Sequence, residues 1–351
     1  MIKKRKTALL LVNLGTPDRA TKGSVFTYLT EFLNDGRVID IPWLFRKILV
    51  NLIIIPFRLS NSTRIYKKLW TDEGSPLLLY LESLGKKLQN RLPENFWVYT
   101  AMRYRKPSLK RVLDEIRHES FDKLVIFPLF PQYASSTTGS IFEKVFREMA
   151  DWQAMPELHF VGQYHHHPAF IQAFANLISS YDPEKYDHII FSYHGLPERQ
   201  MNKIHPGNPC NVCSCDLEMP EYGILCYKAT CYETTRLLAE KLKLPEDRYS
   251  VGFQSRLSKN WLRPFSDKLV EGYARAGMKK ILVVAPSFVA DCLETIVEIG
   301  EEYQHLFRQH GGRELTLVRS LNDNDAWVEA VAEIISGQRS RIPGYSEISR
   351  N

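Results

Sequence analysis

Apolar residues in this chain fall into short runs separated by stretches of helical spacing. TALLLVNLG (7–15), WVYTAMRY (97–104) and KLVIFPLF (123–130) read as strands, and the spacing after them predicts helices over 24–34, 107–118 and 139–151. HIIFSYHG (188–195), YSVGFQS (249–255) and KKILVVAPSF (279–288) renew the same rhythm. Strands alternating with helices predict an α/β protein with parallel sheets. TALLLVNLG is short and broken by Asn13 and Gly15, so it reads as a buried first strand rather than a secretory segment. The single glycine after it reads as a turn requirement.

The halves resemble each other. LLLVNLGTP (9–17) parallels IIFSYHGLP (189–197), VYTAMRYRKPSLKRVLDEI (98–116) parallels SVGFQSRLSKNWLRPFSDKL (250–269), and KLVIFPLFPQYASSTT (123–138) parallels KILVVAPSFVADCLET (280–295). Three correspondences in one order predict two similar Rossmann-like domains, at 1–165 and 166–310, facing a cleft at the carboxyl ends of their strands. Residues 311–351 are expected to pack back and then, beyond about 337, to form a loose polar tail.

One apolar stretch breaks the rhythm: IPWLFRKILVNLIIIPFRL, 41–59. Arg46, Lys47 and Arg58 make it too charged, and its length too short, to span a bilayer. It is either a buried core helix or an interfacial helix whose Trp43, Phe45 and Ile53 to Ile55 enter lipid. The 351 residues carry 46 Lys and Arg against 40 Asp and Glu, a net charge of +6. That balance fits nucleic acid, an anionic membrane surface or a carboxylated substrate. No basic run exceeds KKRK (3–6) and no nucleic-acid motif is present, so no nucleic-acid partner is expected. No G-x-G-x-x-G follows the first strand and no P-loop occurs, which removes the usual phosphate cradles.

Candidate chemistry gathers at predicted strand ends. His194 closes a strand where a parallel sheet presents groups to a cleft, while Leu14 holds the matching position in the other repeat. Glu294, Glu298 and Glu302 are four apart and would stack on one helix face, with Asp291 and Cys292 just before them. Stacked like charges oppose each other unless they share protons or a cation. An exposed acidic face is the plainer alternative. Tyr133, Ser135, Ser136 and Thr137 lie in a polar loop after a strand, and Arg103-Tyr104 closes another.

Five of the six cysteines, Cys210, Cys213, Cys215, Cys226 and Cys231, crowd into one segment. Their irregular spacing suits an iron-sulfur centre better than the paired knuckles of structural zinc, while zinc and redox-active thiols stay open. Spacing does not choose four ligands from the five.

The ordered motifs LVNLGTPD (11–18), FLND (32–35) with RVI (37–39), MRYRKP (102–107), FPLFPQYASSTTGS (127–140), FSYHGLPE (191–198), FQSR (253–256) with Trp261, and PSFVADCLETIVEI (286–299) together resemble the ferrochelatase family. The resemblance implies two Rossmann-like domains clamping a porphyrin and insertion of ferrous iron into protoporphyrin IX to give haem. It implies that His194 is the metal-site histidine and Glu294 its acidic counterpart. Asp291, Glu298 and Glu302 match the family's acidic path, and Leu14, Arg103, Tyr104, Tyr133, Ser135, Ser136, Thr137 and Trp261 would contact the porphyrin. Cys292 stands where some relatives carry a second histidine. Residues 41–59 match the family's membrane-facing lip, and Leu14 favours protoporphyrin over coproporphyrin. The insertion near 205–231 departs from cluster-free members and looks like a bacterial variant housing a 2Fe-2S cluster on Cys210, Cys213, Cys215 and Cys226. Cys231 resembles a position found in cluster-free relatives and is only a substitute ligand. A cytoplasmic enzyme with peripheral membrane contact is expected. The competing readings are a cobalt or nickel chelatase for another tetrapyrrole, and a non-catalytic iron-sulfur or zinc protein.

Overall fold

The computed structural model describes residues 5–337, so the expected tail lies outside the described residues. Among the described residues eight strands form two four-stranded parallel sheets. The first contains β1 (Thr7–Gly15), β2 (Phe96–Tyr104), β3 (Lys123–Pro128) and β4 (Glu157–Phe160) in the order β2-β1-β3-β4. The second contains β5 (His188–His194), β6 (Tyr249–Gln254), β7 (Lys280–Val284) and β8 (Glu314–Leu317) in the order β6-β5-β7-β8. The two orders are one topology repeated, as the internal correspondences require. β4 and β8, four residues each, are too short to announce themselves by periodicity.

Both faces of each sheet are buried, which is why the strands read as nearly continuous apolar runs. In β1, Leu9 and Leu11 face a core shared with Phe191, Tyr193 and Trp327. Ala8, Leu10 and Val12 face Leu113, Ile141 and Val145 on the other side. Ile190, Ile281 and Val283 make the corresponding outer layer of the second sheet with Phe307. The shared core joins the halves, helped by helix Asp325–Ser336 packing on helices Pro76–Arg91 and Pro168–Ser179.

The stretch 41–59 is not a buried core helix. Helix Trp43–Ile48, a π-helical turn Leu49–Ile54 and helix Ile55–Leu69 run on as one arch. Trp43 is 64% exposed, Leu52 69% and Phe57 83%. Pro56 explains the π turn: a proline ring crowds the carbonyl of the preceding turn, and widening that turn removes the clash. The Ile55 amide accordingly bonds the Val50 carbonyl, five residues back.

The polar loop expected at 131–139 contains a second π turn, Ser135–Gly139, which leads into helix Ser140–Met149. The third is the longest. Residues Glu294–Tyr303, expected from their spacing to follow an ordinary α-helix, form a ten-residue π-helix.

Candidate functional site

His194 ends β5, and its Nδ1 lies 2.7 Å from the Gly195 carbonyl oxygen. A carbonyl only accepts, so Nδ1 carries the hydrogen and Nε2 keeps a free lone pair for a proton or a metal. Trp261 and Phe288 flank the ring at centroid distances of 6.4 and 6.3 Å. Trp261 is held there by backbone pairing: Leu262 N–H donates to Leu196 O at 2.9 Å and Glu198 N–H to Asn260 O at 3.1 Å. Gly195 permits this approach, because a Cβ there would lie 2.7 Å from Gln254 O and 3.3 Å from the Trp261 ring. Its repeat partner Gly15 has φ +133°, and a Cβ would meet Tyr104 O at 2.2 Å, so the glycine of LVNLGTP is a conformational and steric requirement.

Glu298 is held by four donors. Its Oε1 accepts from Ser255 N–H at 2.9 Å and Tyr303 O–H at 3.1 Å, and its Oε2 from Ser255 Oγ at 2.5 Å and Gln254 Nε2 at 3.3 Å. Ser255 sits at φ +59°, a left-handed conformation that turns its amide and hydroxyl to the same carboxylate. Burial nevertheless lifts the Glu298 carboxyl above its ordinary pKa; the Ser255 hydrogen bonds and the charge of His194 oppose the rise and Glu294 adds to it. Burial thus favours the protonated form of this acid more than in water. Gln254, itself oriented by Ser192 Oγ at 2.8 Å, also donates to the Glu294 backbone carbonyl at 3.1 Å.

Glu294 and Glu298 are half-buried and Glu302 is exposed. The three glutamates therefore descend along the π-helix from the site to solvent. Tyr28 and Tyr66 stand near Glu294; burial raises both phenols first, and the Glu294 charge adds to it. Cys292 is buried, and its thiol is pushed up by burial and by Glu294 beside it.

Asp291 does not join these acids. It is fully buried, with Oδ2 accepting from Arg319 Nε at 2.5 Å and Asn322 Nδ2 at 2.9 Å, and Oδ1 from Ser320 N–H at 3.1 Å and Thr295 Oγ1 at 3.2 Å. Those donors make it an anchor for the start of the π-helix. Arg103 and Tyr104, expected at the porphyrin, are likewise engaged elsewhere. Tyr104 is fully buried and donates to Asp35 Oδ2 at 2.8 Å; Arg103 Nη2 donates to the same oxygen at 2.6 Å, and its Nε to Ser140 Oγ at 2.8 Å. These bonds fix both side chains to Asp35 and Ser140.

Leu14 is half-buried at the end of β1, the position that corresponds to His194. Ser135 Oγ faces Arg37 Nη1 at 3.2 Å, and Tyr133 lines a cavity of about 490 Å³ with Arg37, Phe142 and Phe146. Ser136 and Thr137 are half-buried in the same π turn.

The cysteine segment lies beside this site, following helix Glu198–Ile204. Cys210, Cys215 and Cys226 are buried and Cys213 is half-buried. Cys213 Sγ lies 3.3 Å from Cys215 Sγ and 3.3 Å from Lys228 Nζ, and His205 Nε2 lies 3.1 Å from Cys226 Sγ. Lys228 Nζ also donates to Cys210 O at 3.2 Å. Lys228 beside Cys213 and His205 beside Cys226 can offset sulfur charge, while burial pushes the Cys210, Cys215 and Cys226 thiols up. They meet as pairs; among the described residues no three His, Cys, Asp or Glu side chains form a group able to hold one metal ion. Cys231 stands apart, fully buried in helix Tyr227–Leu242 and hydrogen-bonded to Tyr227.

Sequence reading passed over Tyr303, Tyr28, Tyr66, Asp35, His205 and Lys228. Each acts through another side chain; Asp35 fell inside the FLND motif, and His205 and Lys228 inside the insertion near 205–231, without being singled out.

The sequence profile described as Ferrochelatase matches residues 6–339. A curated ferrochelatase of Legionella pneumophila (strain Lens) is 40% identical over 336 residues, covering 95% of this chain and 99% of the relative. One from Coxiella burnetii (strain Dugway 5J108-111) is 40% identical over 339 residues, covering 94% and 93%. Among solved structures, SirB from Bacillus subtilis with Fe3+ superposes with a TM-score of 0.52 at 10% identity, covering 94% of each chain. The sirohydrochlorin chelatase SirB from Bacillus subtilis subspecies spizizenii, in complex with cobalt, gives 0.51 at 9%, covering 95% of this chain and 98% of that one. At such identities the structural likeness concerns the fold alone.

Proposed function

The chain belongs to the ferrochelatase family, enzymes that insert a metal into a porphyrin, and on that premise we propose that its reaction is insertion of ferrous iron into protoporphyrin IX. The observation that carries the proposal is His194, with its Nδ1 hydrogen committed and its Nε2 bare, in one site with an acid series that runs to solvent.

Metallation replaces two pyrrole N–H protons with a dication, so the site must accept protons while a partly dehydrated metal enters. Nε2 of His194 takes a pyrrole proton, and its Nδ1–H bond to Gly195 O stabilises the imidazolium that results. Glu298, held protonatable by burial, accepts protons and passes them toward exposed Glu302; Glu294 faces the metal's entry. Apolar walls from Leu14, Trp261 and Phe288 supply binding energy for holding the macrocycle out of plane. Leu14 offers the metal no oxygen, which supports protoporphyrin as the substrate.

The exposed arch meets a membrane surface, where an apolar porphyrin is available. Among the described residues no helix is long and apolar enough to cross a membrane, but Trp43, Leu44, Phe45, Leu52 and Phe57 project side by side from one helical arch flanked by Lys47 and Arg58. Cys210, Cys213, Cys215 and Cys226 would hold a 2Fe-2S cluster, with Cys213 and Cys215 already in contact. Iron insertion moves no electron, so the cluster supplies structure or redox sensing and takes no part in the steps above.

The test is the absorption spectrum of anaerobically purified protein, followed by addition of protoporphyrin IX and ferrous iron. Haem formation, lost in His194→Ala while porphyrin still binds, supports the reaction. Normal turnover in His194→Ala refutes the histidine's role, and turnover with cobalt but not iron refutes the metal.

A further inference from the structure

The two halves are joined very differently at the back and at the front of the cleft. At the back they share a core, and Ser83 and Lys87 bond Asp323 side chain and carbonyl at 2.5 and 2.6 Å. At the front, ion pairs reach the second half from beside the two ends of the arch. Lys68 Nζ meets Glu301 at 2.8 Å, and Asp40 meets both Arg199 and Lys203. Arg199 and Lys203 are four apart on helix Glu198–Ile204, which starts four residues after His194, so they share one face. Asp40 Oδ1 accepts from Arg199 Nε at 3.0 Å and also from Nη2, while Oδ2 accepts from Lys203 Nζ at 2.8 Å.

The exposures of the three side chains are unequal. Asp40 is 15% exposed, Arg199 55% and Lys203 64%. A guanidinium and an ammonium have eight N–H donors between them, and Asp40 engages three, so both cations keep donors turned to water. Two cations facing one carboxylate leave one unit of positive charge among the three, on the helix that follows His194. Asp40 is the enclosed member and the cations the exposed ones, so it is the cation ends that can take up a second carboxylate.

We infer that Arg199 and Lys203 form a docking pair for a carboxylate of the incoming porphyrin, with Asp40 as the resident carboxylate that the substrate displaces. The inference rests on the porphyrin reading above. Displacement releases the Asp40 end of the arch from the helix that follows His194, so a carboxylated macrocycle opens the mouth that admits it. Departure of the product returns Asp40 to the cations and closes it. No covalent step is involved; one carboxylate replaces another.

The experiment is a fluorescence titration of the full chain with protoporphyrin IX and with its dimethyl ester, in dilute neutral detergent. Asp40→Asn removes the competitor and is expected to bind the dicarboxylic porphyrin about two- to fivefold more tightly, matching the modest strength of exposed pairs. The ester, which cannot use the cations, is expected to bind unchanged. The double variant Arg199→Gln/Lys203→Gln weakens binding of the acid by on the order of tenfold and abolishes any gain from Asp40→Asn, whereas Asp40→Glu retains wild-type behaviour. Equal shifts for acid and ester, or no tightening in Asp40→Asn while the wild type metallates porphyrin normally, would overturn the docking pair and leave the porphyrin reading standing. A wild type that neither binds nor metallates porphyrin overturns both.

Discussion

Ser255→Ala tests the proton path at its most constrained point. The substitution deletes the hydroxyl 2.5 Å from Glu298 Oε2 and leaves the Ser255 amide, Tyr303 and Gln254 in place. A hydrogen bond to a charged group contributes roughly 1.5–3 kcal/mol, and one pKa unit corresponds to about 1.4 kcal/mol. With three donors remaining to compensate, the lower end applies, about 1.5 kcal/mol against the ionised form, which pushes the Glu298 carboxyl further up. The direction follows from charge: removing a donor to the carboxylate destabilises the ionised form, and the raised pKa rises further. Glu298 must be ionised to accept a proton, so the acidic limb of kcat against pH moves up with it while the plateau is nearly kept. Stability carries the same signature. The folded protein holds a proton on Glu298 at pH values where the unfolded chain has released it, so stability falls as pH rises from the ordinary carboxyl range through the raised value. Ser255→Ala extends that window upward. Ser255→Gly is the control for the backbone, because it loses the same hydroxyl but relieves the left-handed φ of +59°. It is expected to share the pH shift and to be more stable than Ser255→Ala by roughly 1 kcal/mol. An unmoved acid limb, or an equal loss of rate at all pH values, refutes the assignment of Glu298 as proton acceptor.

Three further outcomes are expected. Phe57→Ser and Leu52→Ser, at side chains 83% and 69% exposed, change stability by less than about 0.5 kcal/mol. Each weakens vesicle partitioning by up to roughly 1.5–3 kcal/mol; sedimentation with anionic liposomes reads the loss, and unchanged partitioning removes the interfacial role. Cys213→Ser lowers the iron and sulfide content of anaerobically purified protein while Cys231→Ser does not, because Cys231 is enclosed in a helix beside Tyr227; equal losses would return Cys231 to the ligand set. Trp327→Ala costs about 3–5 kcal/mol, since this fully buried ring packs against Tyr164 and Phe170 at the core joining the halves, and denaturant unfolding measures it.

The amino-acid sequence alone determined the parts of this protein whose signals are local. Strands buried on both faces must be apolar throughout, so six of the eight strands and the twofold repeat are legible as runs of Leu, Val and Ile; four-residue β4 and β8 give too few positions to show a period. His194 at a strand end, the four-residue spacing of the glutamates and the crowded cysteines are visible for the same reason. What only the tertiary structure decided depends on partners distant in sequence. Asp291 and Glu298 look alike in the chain, yet Arg319 and Asn322 make one a buried anchor, while burial opposed by Ser255 lifts the carboxyl of the other above its ordinary range. Tyr104 closes its strand as a cleft residue should, and is turned inward by Asp35, 69 residues earlier. The apolar pattern of 41–59 satisfies a core helix and a surface arch equally. Its exposure is set by what packs above it, and hydrophobic periodicity records which side chains share a face but not what that face meets.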